Sequence, residues 1–368
     1  MKEMKRIGIF LVLLMSLGVL SGCQTKETSS EELPYARSES SVRKDKTTDR
    51  TITTQESYQL ATRITISIYD EKEAPNSIFD AIFDLIAGYE DMISRNITDS
   101  YVSRINQAAG DAPVSVPDDL FNLIHQGITY ADLSQGAFDI SIGPLVNLWG
   151  IGTYEAKVPE SSELEKALSK VDYHKIELDY DTKTVFLNEK DMFLDLGAIA
   201  KGYIADEIKA LILEKGYTNA IINLGGNVLM VGNKPNSDYW SVGIRDPLSD
   251  SGTSLGILEL NDNSVVSSGV YERFFEENGV RYHHLINPNT GYPEQNDLLA
   301  ISIVSDVSVD GDALSTAVFV LGVEKGYELV ESLEGVEALF IQSDKDIIVT
   351  PGLKSKFRLI DDTYKLVY

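Results

Sequence analysis

The spacing of apolar positions changes several times along the chain, and each change marks an element. Arg63-Ile64-Thr65-Ile66-Ser67-Ile68-Tyr69 alternates apolar and polar side chains, which predicts a strand with one face buried. From Asn76 the spacing lengthens: Ile78, Ile82, Leu85, Ile86, Tyr89 and Ile93 recur every three or four residues. That is an amphipathic helix with Asn76 or Ser77 as its N-cap. A second helix is expected after Pro117, with Leu120, Leu123, Ile124 and Ile128 inward. A third spans about 201 to 215, with Ile204, Ile208, Leu211 and Ile212 inward and Gly216 as its stop signal. Two apolar runs, 220–224 and 228–231, flank Gly225-Gly226-Asn227 as strands around a turn. Further strands are expected at 240–245, 264–268 and 300–304, and a last long helix from about 312 to 333. The mixture predicts an α/β (α+β mixed) fold: one domain with two lobes, its mixed sheets packed by helices.

The first residues break this pattern. Lys2, Lys5 and Arg6 precede a run of 14 apolar and small residues at 7–20. The run is too short for a spanning helix of about 20 residues and has the proportions of a secretory signal. Leu20-Ser21-Gly22-Cys23 follows at once and resembles the lipobox of bacterial lipoproteins. The resemblance implies a signal peptide at 1–22, a diacylglycerol on the Cys23 thiol, and a protein lipid-anchored to the extracytoplasmic face of the cell membrane. Residues 24–57 are mostly Ser, Thr and charged side chains. Too little of that segment is apolar to offset its ordering entropy, so 23–57 is expected to be a flexible tether and 58–368 the folded domain.

Composition narrows the chemistry. Of 368 residues, 43% are hydrophobic and 24% charged, the proportions of a folded protein. A net charge of −25 argues against a nucleic-acid partner, which needs a basic surface. One cysteine excludes an internal disulfide and a multi-cysteine metal site, and four histidines leave little for a His-rich centre.

Four segments carry candidate chemistry. Asp195-Leu196-Gly197-Ala198-Ile199-Ala200-Lys201-Gly202 runs from a strand end through small residues into a helix. Small residues let a ligand approach the backbone and a helix N-terminus favours anions, although such a turn is also a plain connection. In Asn223-Leu224-Gly225-Gly226-Asn227, paired glycines make either a hairpin turn or room for a ligand. Tyr282-His283-His284-Leu285-Ile286-Asn287-Pro288 holds two adjacent histidines. On a strand they face opposite ways, so at most one points into a given site, where an imidazole suits general-base work. In Asp310-Gly311-Asp312-Ala313-Leu314-Ser315-Thr316, Asp312 and Thr316 share a helix face. A carboxylate plus a hydroxyl suits Mg²⁺, which takes hard oxygen ligands; alternatively Asp312 caps the helix.

In this order the motifs resemble the ApbE family, the FAD:protein FMN transferases, from about Leu60 onward. The family pattern is also met at Ser94, Ser100 and Asn106, at Gly136-Ala137-Phe138-Asp139 and Gly143-Pro144-Leu145-Val146, at Trp149-Gly150, and at Ser267-Ser268-Gly269 with Tyr271-Glu272-Arg273. The resemblance implies that FAD binds as substrate at a Mg²⁺ ion and that a Ser or Thr hydroxyl of a target flavoprotein attacks the FMN phosphorus, releasing AMP. It implies Mg²⁺ on Asp312, Thr316 and the carbonyl of Ala198, with His284 as general base. It also implies flavin-nucleotide contacts at Leu60, Asn96, Ala137, Phe138, Asp139, Asp195, Lys201, Gly225, Gly226, Arg273 and Ile286. Asn287 stands where the family often has Asp. Asn96 stands at a position where members differ in transferring FMN or hydrolysing FAD, so the resemblance keeps an FAD pyrophosphatase as an alternative. A non-catalytic flavin-binding lipoprotein is a third expectation.

Overall fold

Alternating side chains build the central sheet, seen in a computed structural model that describes residues 36–45, 49–237 and 239–367. The expected strand at 63–69 is Thr62–Asp70, and its Ile64, Ile66 and Ile68 are wholly buried. Among the described residues eleven strands form this sheet. Ten follow one another across it in chain order: Ala36–Arg37, Thr51–Gln59, Thr62–Asp70, Ala220–Leu224, Asn227–Val231, Ser264–Gly269, Leu298–Ser305, Val336–Gln342, Asp346–Val349 and Lys365–Val367. The eleventh, Ser41–Lys44, also pairs with Thr51–Gln59. Neighbours are antiparallel except the last pair, which is parallel. The fold is mixed α/β, as expected.

The signal peptide 1–22, Cys23 and residues 24–35 lie outside the described residues. The later part of the expected tether does not hold. Residues 51–57 belong to the sheet, in register with Thr62–Asp70. Ile52, Thr53, Gln55, Ser57 and Gln59 are buried there. A segment this polar can enter a core where its polar groups find partners: Thr53 Oγ1 accepts from Ala74 N, Ser57 Oγ donates to Gln59 Oε1, Gln59 Nε2 donates to Phe83 O, and Gln55 Nε2 donates to Asn76 Oδ1, although Gln55 Oε1 stays unpartnered among the described residues. The folded domain thus begins before residue 58.

The middle strands are buried on both faces, which is why they read as continuous apolar runs. In Val336–Gln342, Leu339 and Ile341 pack toward the core shared with Trp240–Arg245, Ser254–Leu260 and Phe357–Leu359, which form a small second sheet. Ala338 and Phe340 pack with the opposite core, against Leu314, Val318 and Phe319 of the helix Ser308–Glu331. The other large core joins Ile64, Ile66 and Ile68 to the helices Asn76–Ile93, Asp118–Leu133 and Ala200–Glu214. Asn76–Ile93 has Pro75 at its N-cap and no side-chain cap. Asn76 Oδ1 instead accepts from Ser40 Oγ and Gln55 Nε2, tying the helix to the sheet edge.

The last helix starts at Ser308, four residues before the expected position. Asp206, on the Ala200–Glu214 helix, accepts the N–H groups of Ser308 and Val309 at 2.8 and 2.9 Å. It therefore caps a helix a hundred residues away, which no local pattern reveals. Asp206→Ala should cost about 1–2 kcal/mol by leaving both amides unpaired. Urea unfolding of the variant checks this. At Gly322 the backbone turns to φ 74°, so the helix is two segments, and Asn296 Nδ2 donates to Phe319 O at the break. The two helices that frame the site touch at Gly202, where a Cβ would fall 2.5 Å from Ser308 O and 2.8 Å from Asp312 Cβ. Only glycine permits that approach.

Candidate active site

The close crossing at Gly202 puts a carboxylate where two elements meet. Asp312 is 4% exposed. Its Oδ2 accepts the Gly202 N–H at 2.9 Å and its Oδ1 lies 3.2 Å from Lys201 Nζ. Lys201 also donates to Gly197 O at 3.4 Å. Thr316, one turn beyond Asp312, lines the same cavity of about 320 Å³, and so does Ala198. Asp312 is thus no cap of its own helix, which begins earlier. Among the described residues no three His, Cys, Asp or Glu side chains cluster as a self-sufficient metal site.

The loop before the Ala200–Glu214 helix is fixed at both ends. Asp195 N donates to Ile140 O, Asp195 Oδ1 accepts Gly197 N at 2.8 Å, and Asp195 Oδ2 lies 3.2 Å from Arg95 Nε. Arg95 also donates to Asn147 Oδ1. Opposite, Ala137, Phe138 and Asp139 line the cavity. Asp139 is buried, and that burial raises its pKa. Its oxygens accept from Ser141 N, Ser141 Oγ and Tyr173 N, so this side chain already holds two loops together.

The two histidines part as alternation requires. His284 lines the cavity with Glu272 and Arg273, whereas His283 does not. His284 N donates to Arg273 O, and its side chain is 28% exposed through the cavity. Burial, then the Arg273 charge, pushes the imidazole down to about 3, so the ring is neutral at pH 7. Burial raises the Glu272 carboxyl, while Lys201 and Arg273 oppose the rise.

His283 is 3% exposed, with Nε2 2.8 Å from Glu294 O and Nδ1 accepting from Leu285 N. Burial pushes it from 6.5 down to about 4. An unfolded chain takes up this proton near pH 6.5 and the folded one only near 4. Stability supplied by neutral His283 is therefore full above 6.5 and is lost as pH falls toward 4, about 3 kcal/mol over that window. Urea midpoints at pH 7 and 4.5 should fall further for the wild type than for His283→Leu.

Asn96, Gly225 and Ile286 also line the cavity. Gly225, at φ +66°, starts the tight turn between Ala220–Leu224 and Asn227–Val231, and a Cβ there would strike Thr62 Oγ1 at 2.2 Å. Two expected contacts are not brought to the cavity. Leu60 occupies the positive-φ turn between Thr51–Gln59 and Thr62–Asp70, with its side chain against the helical core and its N–H on Glu90 Oε1. Gly226 is the outer residue of its turn and faces open space. Sequence reasoning missed Arg95, Glu272, Asn227 and Ser268 as lining residues. Asn227, Ser268 and Glu272 lie within the quoted motifs and Arg95 between Ser94 and Asn96; for Arg95 and Glu272, charge is the available signal.

The family model for the ApbE family matches residues 60–340. An FAD:protein FMN transferase of Klebsiella pneumoniae (strain 342) is 38% identical over 304 residues, covering 83% of this chain and 93% of that protein. One from Treponema pallidum (strain Nichols) is also 38% identical, over 322 residues, 83% of this chain and 89% of that protein. The crystal structure of the ApbE protein from Thermotoga maritima superimposes with a TM-score of 0.77 at 30% identity, covering 83% of this chain and 99% of that one. The flavin transferase ApbE from Vibrio cholerae shares the fold, with a TM-score of 0.74 at 24% identity over 88% of this chain and all of that one. With 281 consecutive residues matched and the cavity formed from the same motifs, this chain belongs to the ApbE family.

Proposed function

We propose that the protein transfers FMN from FAD to a Ser or Thr hydroxyl of a target flavoprotein, releasing AMP, and that it does so at the cavity between the Ala200–Glu214 and Ser308–Glu331 helices. The observation that carries this reading is the convergence of a buried carboxylate, Asp312, and a neutral imidazole, His284, on one cavity. Phosphoryl transfer asks for positioning and charge neutralisation more than covalent help. Lys201, Arg273 and the small-residue turn at 197–198 supply positive charge and close backbone approach for a dinucleotide's phosphates. His284 accepts the proton of the attacking hydroxyl.

The residues fit a magnesium ion. An ammonium already sits 3.2 Å from Asp312 Oδ1, marking a place where a cation is favourable. Asp312, the Thr316 hydroxyl and the Ala198 carbonyl are hard oxygen donors, too few to hold a metal without substrate oxygens. These three would hold Mg²⁺, which when bound supplies Lewis-acid neutralisation of phosphate oxygens. The lipobox at Cys23 supports action from a lipid anchor at the extracytoplasmic membrane face.

Incubation with FAD, Mg²⁺ and a candidate acceptor flavoprotein tests this. A fluorescent acceptor band on a denaturing gel is expected, and its absence across several acceptors that another transferase modifies overturns the reading. Exposed Asn96 at the cavity favours a second reading, hydrolysis of FAD to FMN and AMP. AMP release at an equal rate without any acceptor would select it.

A further inference from the structure

Among the described residues, the acidic side chain at ion-pair distance from the His284 ring is Glu272. The ring Nε2 lies 3.8 Å from Glu272 Oε2, while Nδ1 is enclosed by protein with no hydrogen-bond partner. The cations that act on the ring disfavour a proton: Arg273 from the same connector as Glu272 and Lys201 from the Ala200–Glu214 helix. An imidazole that accepts a proton here becomes a cation beside two cations in a largely enclosed cavity. Such a charge is costly without an anion at ion-pair distance. Glu272 is that anion, and it is not adventitiously placed. Its N–H closes the turn onto Gly269 O at the end of Ser264–Gly269, and its side chain lines the cavity. At 3.8 Å the carboxylate does not occupy Nε2 with a hydrogen bond, which leaves that nitrogen available to an incoming hydroxyl.

We propose that Glu272 is a positioning residue for the transfer: it stands beside the His284 ring and pairs with the imidazolium formed as the acceptor hydroxyl is deprotonated. The inference rests on the transfer reading above. In that step the acceptor O–H bond breaks and its proton goes to the imidazole. The hydroxyl oxygen forms a bond to the FMN phosphorus, and the bond from that phosphorus to the AMP oxygen breaks, AMP leaving with the electron pair. Glu272 forms no bond to any reacting atom. Its contribution is realised when positive charge appears on the ring, so it belongs to the rate rather than to FAD binding.

The test compares Glu272→Gln, Glu272→Asp, His284→Ala and the double variant Glu272→Gln/His284→Ala of the full-length protein, measuring covalent flavin on the acceptor at saturating Mg²⁺ and FAD binding by fluorescence quenching. Glu272→Gln should lower kcat about 10- to 100-fold while leaving KM for FAD within about twofold. Glu272→Asp should recover part of the loss. The double variant should be no slower than His284→Ala alone, because a residue acting through the imidazole has nothing left to act on. An unimpaired Glu272→Gln overturns the proposal, as does a loss confined to KM or one that multiplies in full onto His284→Ala. Should Glu272→Gln fail to fold, Glu272→Ala with wild-type kcat overturns it equally. A wild type that binds FAD but modifies no acceptor would overturn the transfer reading itself, whereas a transferring wild type with an indifferent Glu272 removes only the pairing.

Discussion

Replacing His284 by alanine should lower the transfer rate by about 10²- to 10⁴-fold, the range for loss of a positioned general base. The basis is that this imidazole is neutral at pH 7 and lines the cavity, while its histidine neighbour is turned into the protein and bonded to Glu294 O. FAD affinity should change little, because a base acts on the acceptor's proton and not on the nucleotide. A control with His283→Ala separates the two: it should lose stability, having a buried ring and two hydrogen bonds, before it loses chemistry. Single-turnover transfer with FAD bound, followed on a denaturing gel, checks both. A His284→Ala variant at more than a tenth of the wild-type rate would remove this residue from the reaction.

Asp312→Ala should be at least as damaging, with a loss of about 10³-fold or more, since neutralising charge at a transferring phosphate accounts for several kcal/mol. Two effects meet in this residue. As the one carboxylate proposed to hold Mg²⁺, its removal should also raise the Mg²⁺ concentration needed for half-maximal rate. Asp312 is in addition a structural joint, accepting the Gly202 amide and facing the Lys201 ammonium across a helix contact with no room for a Cβ. Loss of the carboxylate leaves the Gly202 amide unpaired and Lys201 with Gly197 O, at a cost of about 1–3 kcal/mol. Asp312→Asn separates the effects: an amide oxygen can still accept from Gly202, so the variant should regain stability and not activity. Thermal unfolding beside a Mg²⁺ titration of the rate reads the two independently.

Much of the scaffold was legible because it repeats. The strand at Thr62–Asp70 and the helices Asn76–Ile93, Asp118–Leu133 and Ala200–Glu214 follow from apolar spacing alone, since each buries one face or one stripe. Errors arose where partners, not periods, decide. Residues 51–57 read as polar linker, yet Thr53 pairs with Ala74 and Ser57 with Gln59, which in turn holds Phe83 O, inside the sheet. The start of the last helix was misplaced because its cap, Asp206, comes from another helix. Leu60 stands at the edge of the family match but its side chain is spent on the helical core.

The candidate site divides in the same way. Read along the chain, the residues set which chemical groups exist, in what order, and which share a face: Asp312 with Thr316 one turn on, His284 opposed to His283, small residues running into a helix. Those relations are local, and backbone geometry fixes them at short range. Folding brings Lys201 to Asp312, Arg95 to Asp195, and Glu272 to His284. The first two contacts join residues about a hundred positions apart, and the third spans a hairpin of the chain. Which side chains face one another across such gaps is set by how the helices and sheet pack, and packing is a property of the whole domain rather than of any segment of it.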